Sequence, residues 1–263
     1  MDFDVTLVQG LLIAIVAIIA GLDLWLEALF IFRPIIVAPV VGLILGDLRL
    51  GIICGGFAEL VFASLTPAGG VQPPNPPLAA IMTVVLAKTT GAEPTSAVAL
   101  SLPFSVLMQY IILGFYTSFT VFVSKFNKYS EEADIKSFEK LTLALMAIVC
   151  IAYGLVAFLC SYAAQEQISN FVASMPEWLI HGFEVAGGIL PAIGFGILLK
   201  HLFQVKYLPY LLIGFLVVSY IEISNLLPVA LIGLCFALIA FFKQDTVVVA
   251  QTNIDEEDYS DGI

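Results

Sequence analysis

Two long runs without a charged residue, Ala97 to Val123 and Leu141 to Ala164, decide most of what this chain can become. Each is longer than the ~20 residues that carry a helix across a ~30 Å hydrocarbon core. Neither alternates apolar and polar residues over about ten positions, as a strand of a membrane barrel must. Because lipid offers no hydrogen bonds to backbone groups, only helices remain to span it. Composition agrees: 60% of the residues are hydrophobic and 12% charged, where a soluble domain carries roughly 25% charged residues. The chain is therefore predicted to be an all-α polytopic integral membrane protein, with the bilayer as part of its solvent.

The two halves read differently. Beyond residue 95, apolar segments at 95–123, 141–164, 183–200, 207–221 and 226–242 are predicted to form a transmembrane bundle over 95–242. The link from Ser124 to Lys140 holds Lys125, Lys128, Lys136 and Lys140, and the bias of Lys and Arg places it in the cytoplasm. Counting spans from that link puts 165–182 outside, Lys200 to Lys206 inside, the Glu222 to Asn225 turn outside, and the tail 243–263 inside. In residues 1–94 only Val5 to Gly21 resembles a full span. The stretches at 34–46, 50–65 and 77–87 are short and cut by Gly and Pro, which predicts broken or re-entrant helices. Such backbone survives at membrane depth only when buried in protein or lining a wet cavity, and interrupted segments of this kind mark transport sites. The substrate site is expected in this region.

Several function classes drop out. The net charge is −11, but Asp255, Glu256, Glu257, Asp258 and Asp261 crowd the C-terminal tail, which reads as a solvated acidic segment. Ten Lys and Arg spread along the chain form no nucleic-acid stripe. Cys54, Cys150, Cys160 and Cys235 lie in apolar segments without metal-ligand spacing. The acidic start Met1-Asp-Phe-Asp4 lacks the basic region of a cleaved signal peptide. His181 has no catalytic neighbours in sequence, and no phosphate-binding loop is present. No cofactor is expected, and no catalysis by this chain alone.

Glu59 is the sharpest polar signal, standing within Leu50 to Leu65 with nothing charged nearby in sequence. An ionised group at the bilayer centre costs at least ~2.5–3.5 kcal/mol, so it is kept for function or paired within the bundle. The following Thr66 to Pro77 segment holds five prolines and two glycines, which predicts an extended chain there. It carries Gln72 and Asn75, whose amides offer both donors and acceptors. Those suit vicinal hydroxyls or an acetamido group; a polar surface loop is the other reading. Asp23, Glu27 and Arg33 sit between the first span and the first short segment, at an interface or in the site. Asp47 and Arg49 at a tight turn read as structural. Closely spaced small residues in Val185 to Gly196 read as helix packing, with a hinge as the alternative.

These residues resemble a family, the enzyme IIC subunits of the mannose-type bacterial phosphotransferase system. The resemblance runs along nearly the whole chain through Ile19-Ala-Gly-Leu-Asp23, Arg33-Pro34, Gly42-Leu-Ile-Leu-Gly-Asp47, Gly51 to Glu59, Gly187-Gly188 with Pro191 to Phe195, and Tyr207-Leu-Pro-Tyr210. Gly70-Val-Gln-Pro-Pro-Asn75 and the terminal Asp261-Gly-Ile263 are most similar to the N-acetylgalactosamine or galactosamine branch. The resemblance implies group translocation in the bacterial inner membrane: IIC and a IID subunit form the sugar path, and IIA and IIB relay phosphate from phosphoenolpyruvate. A histidine on IIB would phosphorylate the sugar. An oligomeric assembly is expected. Glu59, Gln72 and Asn75 become the expected sugar contacts, with Asp23 second. The competing expectation is a secondary transporter that couples sugar uptake to protons through Glu59.

Overall fold

A computed structural model describes residues 4–63, 73–220 and 228–242. Helices α1 (Leu7–Leu26), α2 (Pro34–Ile44), α3 (Leu48–Phe62), α4 (Pro76–Thr90) and α5 (Pro94–Phe119) come first in the chain. They are followed by α6 (Val123–Glu131), α7 (Ile135–Phe158), α8 (Gln165–Ala173), α9 (Glu177–Leu202), α10 (Leu208–Tyr220) and α11 (Pro228–Phe242). A 3-10 turn, Thr120–Phe122, joins α5 to α6, and a π turn, Leu159–Ala163, extends α7. No strand occurs among the described residues. Backbone contacts group Met1–Leu198 as one unit and Leu199–Ile263 as another.

Among the described residues four helical stretches are long and apolar enough to cross a membrane: Leu7–Leu26, Pro94–Glu131, Ile135–Ala163 and Trp178–Lys200. The short segments of the N-terminal half are helices of 11, 15 and 15 residues, about 16, 22 and 22 Å long at 1.5 Å per residue. None reaches across the ~30 Å core. Of the Thr66 to Pro77 segment expected to be extended, residues 66–72 lie outside the described residues, and Pro76 and Pro77 instead open α4, which Asn75 caps. Proline favours that position, since the N–H it lacks would be unpaired there anyway.

Apolar burial gains little in lipid, so close approach through small residues and internal polar bonds must hold the first unit together. Along α1 the buried Gly10, Ile13, Ala17, Ala20 and Gly21 share one face, while Leu11, Ile15 and Ile19 are exposed on the other. That face meets α7 antiparallel: Gly10 lies against Tyr162, Ile18 against Gly154 and Gly21 against Tyr153. A Cβ on Gly21 would stand 2.5 Å from the Tyr153 ring.

The α2–α3 pair is a tight hairpin. A Cβ on Gly42 would lie 2.7 Å from the Gly51 Cα, and one on Gly51 equally close to the Ala38 carbonyl. Gly46 turns the chain at φ +75°, a conformation that costs other residues more. Asp47 then caps α3 by accepting from the Leu50 N–H at 3.1 Å and pairs with Lys88 of α4 at 3.2 Å, a structural role as the sequence suggests. Helix α4 is buried on every side from Pro76 to Ala87, as expected of a helix that is apolar all round. Its Thr83 hydroxyl bonds Ser101 of α5 at 3.0 Å.

The Ser124 to Lys140 link is more ordered than a loop. Helix α6 continues from α5 through the 3-10 turn, and the reversal occupies only residues 132–134, with Ala133 at φ 52°. The segment is polar yet contains no helix breaker, and Phe126 of α6 packs edge-on against Phe138 of α7 with ring centroids 4.9 Å apart. Residues 165–182, expected to be a connection, contain α8 and the start of α9. Helix α9 is unbroken despite Pro191. Gly187 abuts the Thr95 carbonyl and Gly194 the Leu60 carbonyl, closer than a Cβ would allow. The small-residue run therefore serves close packing, and no hinge is formed.

Candidate functional site

Asp23 lies in the last turn of α1 and is buried, 6% exposed. Its carboxylate accepts from the backbone N–H groups of Leu29 (2.8 Å), Ile31 (2.6 Å) and Phe32 (3.3 Å). It is neither a loose interfacial charge nor an open ligand, but the anchor of the turn between α1 and α2. That turn contains two non-glycine residues at positive φ, Glu27 (47°) and Phe30 (57°). Such residues are uncommon and carry strain; three bonds to one buried carboxylate are what hold them.

The anchored turn delivers Arg33, the residue that precedes α2 with Pro34 as its first helical position. Its guanidinium reaches Glu59 on α3: Nε donates to Oε1 at 2.8 Å and Nη2 bonds the same oxygen. The Ile35 N–H donates to Oε2 at 3.3 Å. The isolation of Glu59 in sequence is thus corrected in space. The side chains remain 22% and 18% exposed, so Oε2 carries unused acceptor capacity beside a fixed cation. That arrangement can accept from sugar hydroxyls and donate to sugar oxygens.

The pairing was legible in principle. An antiparallel helical hairpin folded at Gly46-Asp47 places residues about thirteen positions before the turn opposite those about thirteen after it, and Pro34 indeed lies beside Gly55. Arg33 and Glu59 follow from that register.

Asn75 is committed within the bundle, 2% exposed. Its Oδ1 accepts from the Leu78 N–H at 3.0 Å, capping α4, and its Nδ2 donates to the Tyr153 hydroxyl at 2.5 Å. Its backbone exchanges two bonds with Ser105: the Asn75 N–H donates to the Ser105 carbonyl at 3.2 Å, and the Ser105 hydroxyl donates to the Asn75 carbonyl at 2.8 Å. It ties α4 to α5 and α7 and is not a surface-loop residue. Tyr153 and Ser105, its partners, carried no sequence signal, because a single hydroxyl in an apolar span is unremarkable until its neighbour is known. Gln72 lies outside the described residues. The structure thus brings Asp23, Arg33 and Glu59 into one continuous set of contacts, and Asn75 belongs to a second. Among the described residues no group of three His, Cys, Asp or Glu side chains could hold a metal ion.

Comparison with known proteins converges on this architecture. Residues 7–239 match the family described as the PTS system sorbose-specific IIC component. The chain is 53% identical over 99% of its length, and 99% of the relative's, to the N-acetylgalactosamine permease IIC component 1 of Escherichia coli (strain K12). It is 29% identical to the sorbose-specific EIIC component of Klebsiella pneumoniae, covering 90% of this chain and 89% of that one. Among solved structures, one described only as a membrane protein superposes with a TM-score of 0.80, at 22% identity and covering 90% of this chain and 96% of the other. The cryo-EM complex of the mannose transporter ManYZ with microcin E492 gives 0.57 at the same identity and coverage. Matching length, helix order and a full-length relative above half identity leave one conclusion: the chain belongs to the sorbose-specific IIC family of the phosphotransferase system, and it is a multi-pass membrane sugar permease component of the mannose type.

Proposed function

We propose that this subunit carries N-acetylgalactosamine, or galactosamine, across the inner membrane and presents it to a IIB partner that phosphorylates it at the cytoplasmic face, with a IID subunit completing the path and IIA feeding IIB. The observation that carries the sugar assignment is the 53% identity, over 99% of both chains, to a relative named for N-acetylgalactosamine. The partly open Glu59–Arg33 pair supports placing sugar recognition on α2 and α3. Glu59 serves as the principal acceptor, and Gln72 as a further amide contact on the chain that leads into Asn75. Asp23 and Asn75 belong to the same site through the backbone they fix, the first holding the Arg33 turn and the second the start of α4. With Glu59 bonded to a guanidinium that never loses its proton, a hydroxyl-binding role fits better than a proton-coupling one.

The test is a sugar panel on the purified protein in lipid nanodiscs. N-acetylgalactosamine and galactosamine should raise the melting temperature at concentrations about tenfold below those at which mannose or sorbose does so. Stabilisation by mannose or sorbose at the lower concentration would reassign the substrate.

A further inference from the structure

Far from the Glu59 pair, within the first unit, a cavity of about 900 Å³ opens between the C-terminal end of α4, the start of α5, the π turn after α7, and α8. Its volume falls in the range of small-molecule sites, about 300–1,000 Å³. Glu93, Ser96, Glu166, Gln167 and Asn170 line it, with Asp4 at one wall. Gln165 accepts from the Val5 N–H at 2.7 Å and donates to Asp4 at 2.8 Å, which fixes the wall without spending the other polar groups.

Two features separate this cavity from a packing defect. Ser96 is 2% exposed, and its hydroxyl has no hydrogen-bond partner among the described residues. A buried polar atom left unpaired costs free energy and calls for an explanation; a ligand hydroxyl or carbonyl in the cavity would supply the partner. Second, the wall contributed by Tyr162 and Ala163 is a π turn, an irregularity that recurs at functional sites. Among the described residues the lining carries three carboxylates and no Lys, Arg or His. Anions are therefore disfavoured, while hydroxyl and ammonium donors find Glu93 and Glu166, and carbonyl or hydroxyl acceptors find Ser96, Gln167 and Asn170.

Position adds the direction of traffic. Helix α5 starts at this cavity and runs 26 residues away from it, about 39 Å, to the Lys-rich reversal. Helix α7 returns from that reversal to the cavity wall. The cavity and the link thus lie on opposite membrane faces, and the lysine bias puts the link inside. We infer that this cavity is an outer vestibule that captures a neutral or cationic hexosamine from outside before it reaches the Glu59 region, and that it rejects sugar phosphates. The inference rests on the sugar assignment proposed above and adds a second binding site to it.

The experiment uses the full chain with its partners in intact cells. In a parent whose Cys160 and Cys235 are replaced by Ala, an Asn170→Cys variant should react with a membrane-impermeant maleimide from outside. N-acetylgalactosamine should slow that reaction, and its 6-phosphate should not. Separately, Ser96→Ala should raise the half-saturation concentration for uptake about 2- to 12-fold at unchanged maximal rate, the span of one neutral hydrogen bond. Labelling only after permeabilisation, labelling unaffected by sugar in a parent that transports it, or an unchanged half-saturation in Ser96→Ala would each overturn the vestibule. A parent that takes up mannose and no hexosamine would instead overturn the sugar assignment, and protection of the Asn170→Cys variant by mannose would then keep the vestibule.

Discussion

Replacing Asp23 separates an anchoring carboxylate from a sugar ligand. In the structure it receives two short N–H bonds, at 2.8 and 2.6 Å, and a longer one at 3.3 Å. Hydrogen bonds to a charged group contribute about 1.5–3 kcal/mol each. Counting the two short ones, Asp23→Ala should cost about 3–6 kcal/mol, as an upper range, because the freed turn relaxes toward any water that reaches it. At roughly 2–4 °C per kcal/mol for a chain of this size, the melting temperature should fall by at least about 6 °C. Asp23→Asn keeps one acceptor oxygen but turns an NH₂ toward a backbone N–H, so it should fall between Ala and the wild type. The assay is thermal unfolding in nanodiscs, alongside sugar uptake in cells. With the turn loosened, Arg33 loses its fixed approach to Glu59, and uptake should drop in parallel with stability. If Asp23→Ala melted within about 2 °C of the wild type and only its half-saturation for sugar rose, the anchoring argument would be wrong and Asp23 would be a direct ligand.

Four further outcomes follow. Arg33→Ala leaves Glu59 without its counter-charge and should destabilise by about 1–3 kcal/mol, below the 3–5 of a fully buried pair because both side chains are partly exposed. Glu59→Gln keeps neutral bonds to Arg33 and should fold nearly normally while losing most uptake; normal uptake kinetics would remove Glu59 from the site. In α9, Gly187→Ala and Gly194→Ala should lower the melting temperature, since each new Cβ meets a backbone carbonyl, whereas Gly188→Ala and Gly196→Ala meet open space and should not. Equal effects at the four positions, read by the same thermal assay, would contradict the close packing of α9. A cysteine introduced at Ser130 should react with impermeant maleimide only in permeabilised cells, and labelling of intact cells would reverse the orientation on which the span count rests.

Helix class and the contrast between long and short segments were legible because apolar length is a one-dimensional property. The 11-residue α2 and 15-residue α3 and α4 fall where Gly and Pro cut the hydrophobic runs. What the chain order hides is which polar groups meet. Glu59 reads as solitary because Arg33 is 26 positions away, and only the register of the hairpin at Gly46 joins them. Asn75 reads as an exposed amide because prolines flank it. Its partners Tyr153 and Ser105 lie 78 and 30 residues away on other helices, and no periodicity announces them. The link after α5 reads as a loop because it is highly charged, although Lys and Glu are good helix formers. Lys128 and Glu132, 3.8 Å apart at i and i+4, lie on one such turn.

The proposed function has this chain supply a sugar path and leave the phosphoryl chemistry to its partners. Proteoliposomes containing the subunit with its IID partner, loaded inside with phosphorylated IIB, test it directly when external N-acetylgalactosamine is supplied and the internal product is identified. Sugar phosphate should accumulate inside only when phosphorylated IIB is present, and a proton gradient alone should drive no accumulation. Free N-acetylgalactosamine concentrated against its gradient in vesicles without IIB would contradict the claim and establish a secondary transporter.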